Sequence, residues 1–168
     1  MFIALEQLEE HPVHFDEVFA PGRIEYVEEI SQVAPLKVRG TASLIDREIQ
    51  VTGKLETELE LICARCLEPL VLPVKRTFSL FYQPLADAPA EDEQQVPRGE
   101  EEVGFYRGDG LQLEDVAKEQ VLLNLPMRSL CREDCKGLCP VCGGNRNREA
   151  CKCEEHLTDP RWDALKKI

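Results

Sequence analysis

Histidine is scarce in this sequence, with three residues in 168. Of these, His11 and His14 flank Pro12 and His156 stands alone, a distribution that suits surface positions better than a catalytic or metal-binding set. There is no HExxH helix, no phosphate-binding glycine loop and no nucleophile elbow, which removes the familiar signatures of zinc hydrolases, P-loop NTPases and serine hydrolases. No stretch approaches the roughly 18 consecutive apolar residues that suggest a membrane span. The opening MFIALEQLEE lacks the basic and apolar regions of a secretory leader. The expectation is a cytoplasmic protein without a membrane partner, acting as a binding module rather than an enzyme. In the cytosol thiols stay reduced, so eight cysteines point to metal rather than to disulfides.

Basic residues are also in deficit: 20 Lys and Arg stand against 32 Asp and Glu, a formal net charge of −12. Such a surface repels nucleic acid overall. The acid lies in the body of the chain, however, and the segment from Pro126 to Ile168 is mildly basic, with Arg128, Arg132, Lys136, Arg146, Arg148 and Lys152 around its cysteines.

From Leu36 to Tyr82 the sequence alternates with period two, as half-buried antiparallel strands do. Leu36, Val38, Ala42 and Leu44 share one face. After a turn near Asp46 and Arg47, so do Ile49, Val51, Leu55, Leu59 and Leu61, and then Leu70, Leu72, Val74, Phe78, Leu80 and Tyr82. Pro69 and Pro73 lack ladder donors, so the third run is expected to begin on or near a sheet edge. Phe2–Leu5 and Val13–Phe19 predict shorter strands, the latter linked through Pro21 and Gly22 to Ile24–Val27. Residues 84–104 are rich in Pro, Ala and acid and predict a mobile loop. Leu113, Val116, Ala117, Val121 and Leu125 predict one amphipathic helix from about 113 to 124, stopped by Pro126. Asp159 and Pro160 in DPRWDALKKI predict a short terminal helix.

The fold class is therefore α+β: a mainly antiparallel sheet or partly open barrel with one packed helix, and a C-terminal cysteine-rich zinc module. The body is expected over 1–125 and the tail over 126–168.

The cysteines carry the chemistry. Cys139 and Cys142 in CPVCG are spaced so that both thiolates reach one zinc ion at about 2.3 Å when the chain turns between them, and Gly143 gives the turn its permissive backbone. Cys151 and Cys153 of CKC point the same way on an extended segment and can close the tetrahedron. One Zn2+ site is expected there. Cys63 and Cys66 form a second CxxC at a turn between strands; with Cys131 and Cys135 they make a second four-thiolate site. A rival assignment draws four ligands from the six tail cysteines and leaves Cys63 and Cys66 as free thiols.

CARCLEP, a helix ending LLNLP, LCREDCKGLCPVCGGNRN, CKC and DPRWDAL, in that order, resemble the YceD family, named for large ribosomal RNA subunit accumulation. The resemblance covers nearly the whole chain. It implies a small cytosolic bacterial protein needed for normal accumulation of large-subunit ribosomal RNA, with no known enzymatic activity. The family's CxRC motif falls on Cys63, Arg65 and Cys66, and its cysteine-rich tail on Cys131, Cys135, Cys139, Cys142, Cys151 and Cys153. Where many relatives introduce the helix with aspartate, this chain has Gln112, a weaker cap. The leading expectation is a ribosome-assembly factor whose tail cations contact the phosphates of ribosomal RNA or a large-subunit precursor. An acidic adaptor binding a basic ribosomal protein or an RNA-processing enzyme through Glu91 to Glu93 and Glu100 to Glu102, and a thiol redox sensor using Cys63 and Cys66, are the alternatives.

Overall fold

The computed structural model describes residues 1–27, 29–85 and 103–153. The chain divides into two compact units, one of Met1–Leu61 with Val71–Met127, the other of Ile62–Leu70 with the chain from Arg128 onward. The second unit is discontinuous in sequence: it takes in the tip of a hairpin as well as the cysteine-rich tail.

The first unit is built on an open sheet. Its strands are β1 (Phe2–Ala4), β2 (Val13–Phe19), β3 (Ser31–Gln32), β4 (Leu36–Ile45), β5 (Glu48–Ile62), β6 (Pro69–Pro84), β7 (Val103–Tyr106) and β8 (Gly110–Gln112), with helices α1 (Leu5–Glu10) and α2 (Leu113–Leu123). The main sheet has the order β2-β4-β5-β6-β7, with β3 paired to β5, and β1 pairs with β8 separately. Strands β2, β4 and β5 are antiparallel neighbours, with Val13 opposite Ala42 and Lys37 opposite Glu56. The β6–β7 pair is parallel, from Phe81 opposite Val103 to Pro84 opposite Tyr106. Among the described residues β7 covers only that far end of β6, so Pro69 and Pro73 lie where the missing donors face no β7 partner.

Alternation explains the burial. Ile49, Val51, Leu55, Leu59 and Leu61 are all buried while Lys54, Glu58 and Glu60 are exposed. The β4–β5 turn is two residues, Asp46 and Arg47, both at positive φ (48° and 73°), the combination whose twist suits a tight hairpin. Leu113, Val116, Ala117 and Val121 of α2 join Leu36, Val38, Ile49, Val51 and Val74 in one core cluster. Gln112 makes no side-chain cap to α2; instead the Leu113 N–H donates to the Met1 carbonyl at 3.0 Å.

Several local expectations change. Leu5 opens α1 rather than extending β1: Leu5 and Leu8 sit at helical spacing among Glu6, Gln7, Glu9 and Glu10, good helix formers, in a run too short for its period to be read. Ile24–Val27 forms no strand. The expected loop narrows at both ends, because Pro84 closes β6 and Val103 and Gly104 open β7. Residues 86–102, including the acidic run Asp87 to Glu102, and the terminal helix expected after Asp159 lie outside the described residues.

Candidate metal centres

In the second unit the hairpin tip forms a knuckle. The Leu67 N–H donates to the Cys63 carbonyl at 3.0 Å, and the Cys63 N–H donates to the Glu68 carbonyl at 2.9 Å, curling Cys63-Ala64-Arg65-Cys66 so that both thiols face one side. The tail repeats the same pattern: Gly143 N–H to Cys139 carbonyl at 2.8 Å, Cys139 N–H to Gly144 carbonyl at 2.8 Å. Leu67 and Gly143 hold the same place in the two knuckles, both left-handed, at φ of 58° and 72°. Glycine is at ease there and leucine is not.

Each knuckle gathers two more cysteines. The Sγ atoms of Cys63, Cys66, Cys131 and Cys135 lie within 4.8 Å of one another, and so do those of Cys139, Cys142, Cys151 and Cys153. All eight are free thiols. Cys63 Sγ stands 3.8 Å from Cys135 Sγ, and Cys66 Sγ 3.7 Å from Cys131 Sγ. Four sulfurs about 2.3 Å from one ion at tetrahedral angles stand about 3.8 Å apart, so the donor set fits a single four-coordinate ion. An iron-sulfur cluster, with several metal atoms between its thiolates, would hold them further apart.

The hairpin and tail are tied by backbone. Ala64 N–H donates to the Ser129 carbonyl at 2.8 Å, and Leu138 N–H to the Arg65 carbonyl at 3.0 Å. Arg65 Nη1 donates to the Cys135 carbonyl at 2.8 Å. Gly137 fits this crossing because a Cβ there would stand 3.0 Å from the Arg65 carbonyl oxygen. Asn147, from the loop between Cys142 and Cys151, reaches the other cluster: its Nδ2 donates to Cys135 Sγ at 3.3 Å, while its Oδ1 accepts from Lys136 N–H and Arg132 Nη2, both at 2.8 Å.

Electrostatics separates the thiols within each cluster. Burial pushes the Cys63 thiol up, but the backbone N–H groups of Cys131, Cys66 and Arg65 together outweigh it and hold it down at about 6. Backbone N–H groups of Cys142 and Val141 hold Cys139 down at about 6. Cys131 is pushed up to about 12 by burial and by its sulfur neighbours, and Cys153 to about 12 chiefly by Cys142. Four thiols crowded together do not all ionise on their own; a cation among them is what makes that favourable.

A family model described as "Large ribosomal RNA subunit accumulation protein YceD" matches residues 51–168. The chain belongs to the YceD family. An uncharacterized protein of Mycobacterium tuberculosis, Rv2926c, is 33% identical over 153 residues, covering 89% of this chain and 70% of its own. Uncharacterized protein YlbN of Bacillus subtilis is 25% identical over 167 residues, covering 98% and 92%. No solved structure matches. The YceD match spans both knuckles and all eight cysteines, and the family description names an accumulation factor rather than a catalyst.

The six cations expected to meet RNA, Arg128, Arg132, Lys136, Arg146, Arg148 and Lys152, are all exposed and all in the second unit. Arg148 pairs with Glu68 at 2.6 Å, and Arg132 with Asp134 at 3.4 Å and with Asn147. Cys63 and Cys66 do not stand apart at the hairpin tip; their sulfurs meet those of Cys131 and Cys135. Arg65 and Asn147 are the supporting residues that spacing does not reveal, although the CxRC pattern marks Arg65. His11 and His14 are exposed, with His14 Nδ1 at 2.9 Å from Thr41 Oγ1; His156 lies outside the described residues. No helix among the described residues is long and apolar enough to cross a membrane.

Proposed function

We propose that this YceD protein is a non-catalytic ribosome-biogenesis factor of the bacterial cytoplasm that supports accumulation of large-subunit ribosomal RNA by binding the RNA or its precursor particles. Zinc at two four-thiolate sites builds the binding unit: Cys63, Cys66, Cys131 and Cys135 hold one ion, Cys139, Cys142, Cys151 and Cys153 the other. Zinc closed in by four cysteines has no open position for water, so it holds a shape and activates nothing. The exposed cations of that unit, Lys136 and Lys152 among them, face RNA phosphates. The observation that carries the reading is the sorting of all eight thiols into two closed fours on paired knuckles, within the segment that matches the family named for ribosomal RNA accumulation.

Metal analysis of protein purified without added metal is expected to give two zinc ions per chain, falling to one when Cys63 and Cys66 are both changed to Ser. Co-sedimentation with large-subunit precursors should weaken as salt rises, and should weaken further with Lys136→Glu and Lys152→Glu. Metal-free protein that stays folded, or association indifferent to salt and to charge reversal, contradicts the proposal.

A further inference from the structure

A protein of net charge −12 carries a concentrated basic hollow among the described residues of its body. Lys37 and Arg39 of β4, Lys54 of β5, and Lys75 and Arg76 of β6 line a concavity of about 220 Å3, in which Glu56 is the one carboxylate among the lining residues. Glu56 is committed, since Lys37 Nζ stands 3.3 Å from its Oε1. Arg39 and Lys54 are directly opposite one another in the β4–β5 register. Like charges in that relation destabilise an antiparallel pair. Asp16, opposite Arg39 on β2, leaves this row with one carboxylate to two cations before Lys75 is counted. Nothing in the fold requires the arrangement of Lys37, Arg39, Lys54 and Lys75, whose side chains are exposed, while Arg76 is half-buried and in phase with the buried Val74 and Phe78. An adjoining shallow depression shares Arg39, Lys54 and Thr77 and adds the hydroxyl residues Thr41, Thr52 and Ser79. Cations beside hydroxyls are the groups that hold phosphodiester oxygens without reading sequence.

The cysteine-rich unit has less charge to offer than its composition suggests. Its described residues hold seven Lys and Arg against four Asp and Glu. A divalent ion within four thiolates leaves a net charge of about −2 at each site, so two sites cancel the surplus.

We infer that the hollow around Arg39 and Lys54 is a phosphate-binding site for the backbone of single-stranded ribosomal RNA, formed by the body's sheet rather than by the cysteine-rich unit. The inference rests on the reading that the protein binds RNA, and places a principal contact on the sheet.

The test is fluorescence anisotropy of a labelled oligouridylate with the full-length, zinc-loaded protein across a salt series. The double variant Arg39→Gln with Lys54→Gln should bind about tenfold more weakly, and its plot of log affinity against log salt should be shallower by about 1.4, two single-strand phosphate contacts at about 0.7 each. Its melting temperature should equal or exceed that of the wild type, since two opposed like charges are removed; this keeps misfolding from imitating the result. Wild-type binding that the double variant retains in full, with loss only in Lys136→Glu with Lys152→Glu, overturns the inference and leaves the RNA reading standing. Absence of oligouridylate binding by the wild type overturns both. Polyglutamate competing as well as oligouridylate at equal charge overturns the phosphate assignment in favour of an acidic protein surface.

Discussion

Asn147 should act on a metal site to which its own loop does not belong. It lies between Cys142 and Cys151, yet its amide donates to Cys135 Sγ at 3.3 Å in the other four. Groups that hydrogen-bond a metal ligand, when removed, cost about 10–100-fold in metal affinity. A single neutral amide on one of four thiolates belongs at the lower end, so Asn147→Ala should weaken the Cys63, Cys66, Cys131 and Cys135 site about tenfold. The two bonds accepted by Oδ1, from Lys136 N–H and Arg132 Nη2, add little to that cost because both donors are exposed and water can replace the amide. Asn147→Asp keeps those two acceptors but sets a carboxylate against a thiolate, so it should be worse for metal than alanine despite being closer in shape. The assay is zinc release to a chromogenic chelator, where one of the two ions should leave faster. Repeating it on the Cys63→Ser and Cys66→Ser background isolates the second site, where Asn147→Ala should change nothing. If the aspartate variant holds both ions like the wild type, or if the faster ion persists on that background, the assignment of Asn147 fails.

Leu67→Gly should stabilise the zinc-loaded protein by up to about 1 kcal/mol in chelator or thermal titration. It removes left-handed strain from an exposed leucine, at 62% exposure, and is offset in part by the entropy of glycine in the unfolded chain. Gly143→Leu should destabilise by about 1–2 kcal/mol for the same reason. Val121→Ala removes a fully buried side chain of α2 and should lower the stability of the first unit by about 2 kcal/mol while metal content stays unchanged. Burial holds the Tyr82 phenol above its ordinary range, with Glu119 adding to the effect, and burial holds Tyr26 up at about 12. The folded state therefore keeps protons that the unfolded chain gives up near pH 10, so stability present below about pH 10 should fall as pH rises past it. Denaturant titrations at pH 9 and 11 should show that fall, and Tyr82→Phe should reduce it.

The long strands β4, β5 and β6 and the helix α2 are legible because each carries its period over enough residues to be read. Ile49, Val51, Leu55, Leu59 and Leu61 keep one phase across Gly53 and Thr57, and Leu113 to Val121 repeats at helical spacing up to Pro126. The short elements α1, β3, β7 and β8 are not, since none of them completes a pattern. Gln32 shows why β3 matters nonetheless: its buried amide donates to the Phe19 and Ala34 carbonyls at 3.0 and 2.9 Å, a tertiary relation that no local rule announces. The tail knuckle was visible because Gly143 marks it. The hairpin knuckle has the same hydrogen bonds, but Leu67 occupies the glycine's place, so the sequence read there as a turn with two cysteines. Asn147 looked like one more polar residue of a turn-rich loop; its role follows from a tail folded against the hairpin tip, which spacing does not encode.

The two units are held by different physics. The first buries a continuous cluster running from Ile3 to Val121, enough apolar surface to order a sheet and a helix together. Among the described residues the second has a cluster of Cys63, Cys66 and Cys135 with only Leu70 and Leu130 packed against it. Each ordered residue costs about 1–2 kcal/mol of backbone entropy, and two partly buried leucines cannot offset that for a tail as long as Arg128 to Cys153. Metal bound at the two thiolate sites, as proposed above, would supply the difference; structural zinc contributes about 10–16 kcal/mol per ion in small zinc-built domains. Hence the hairpin tip matters more than its length suggests: Cys63 and Cys66, from the link between two long strands, complete the cysteine set that Cys131 and Cys135 begin. A tail without that tip would have to assemble both sites from its own six cysteines, with Cys131 and Cys135 left two ligands short.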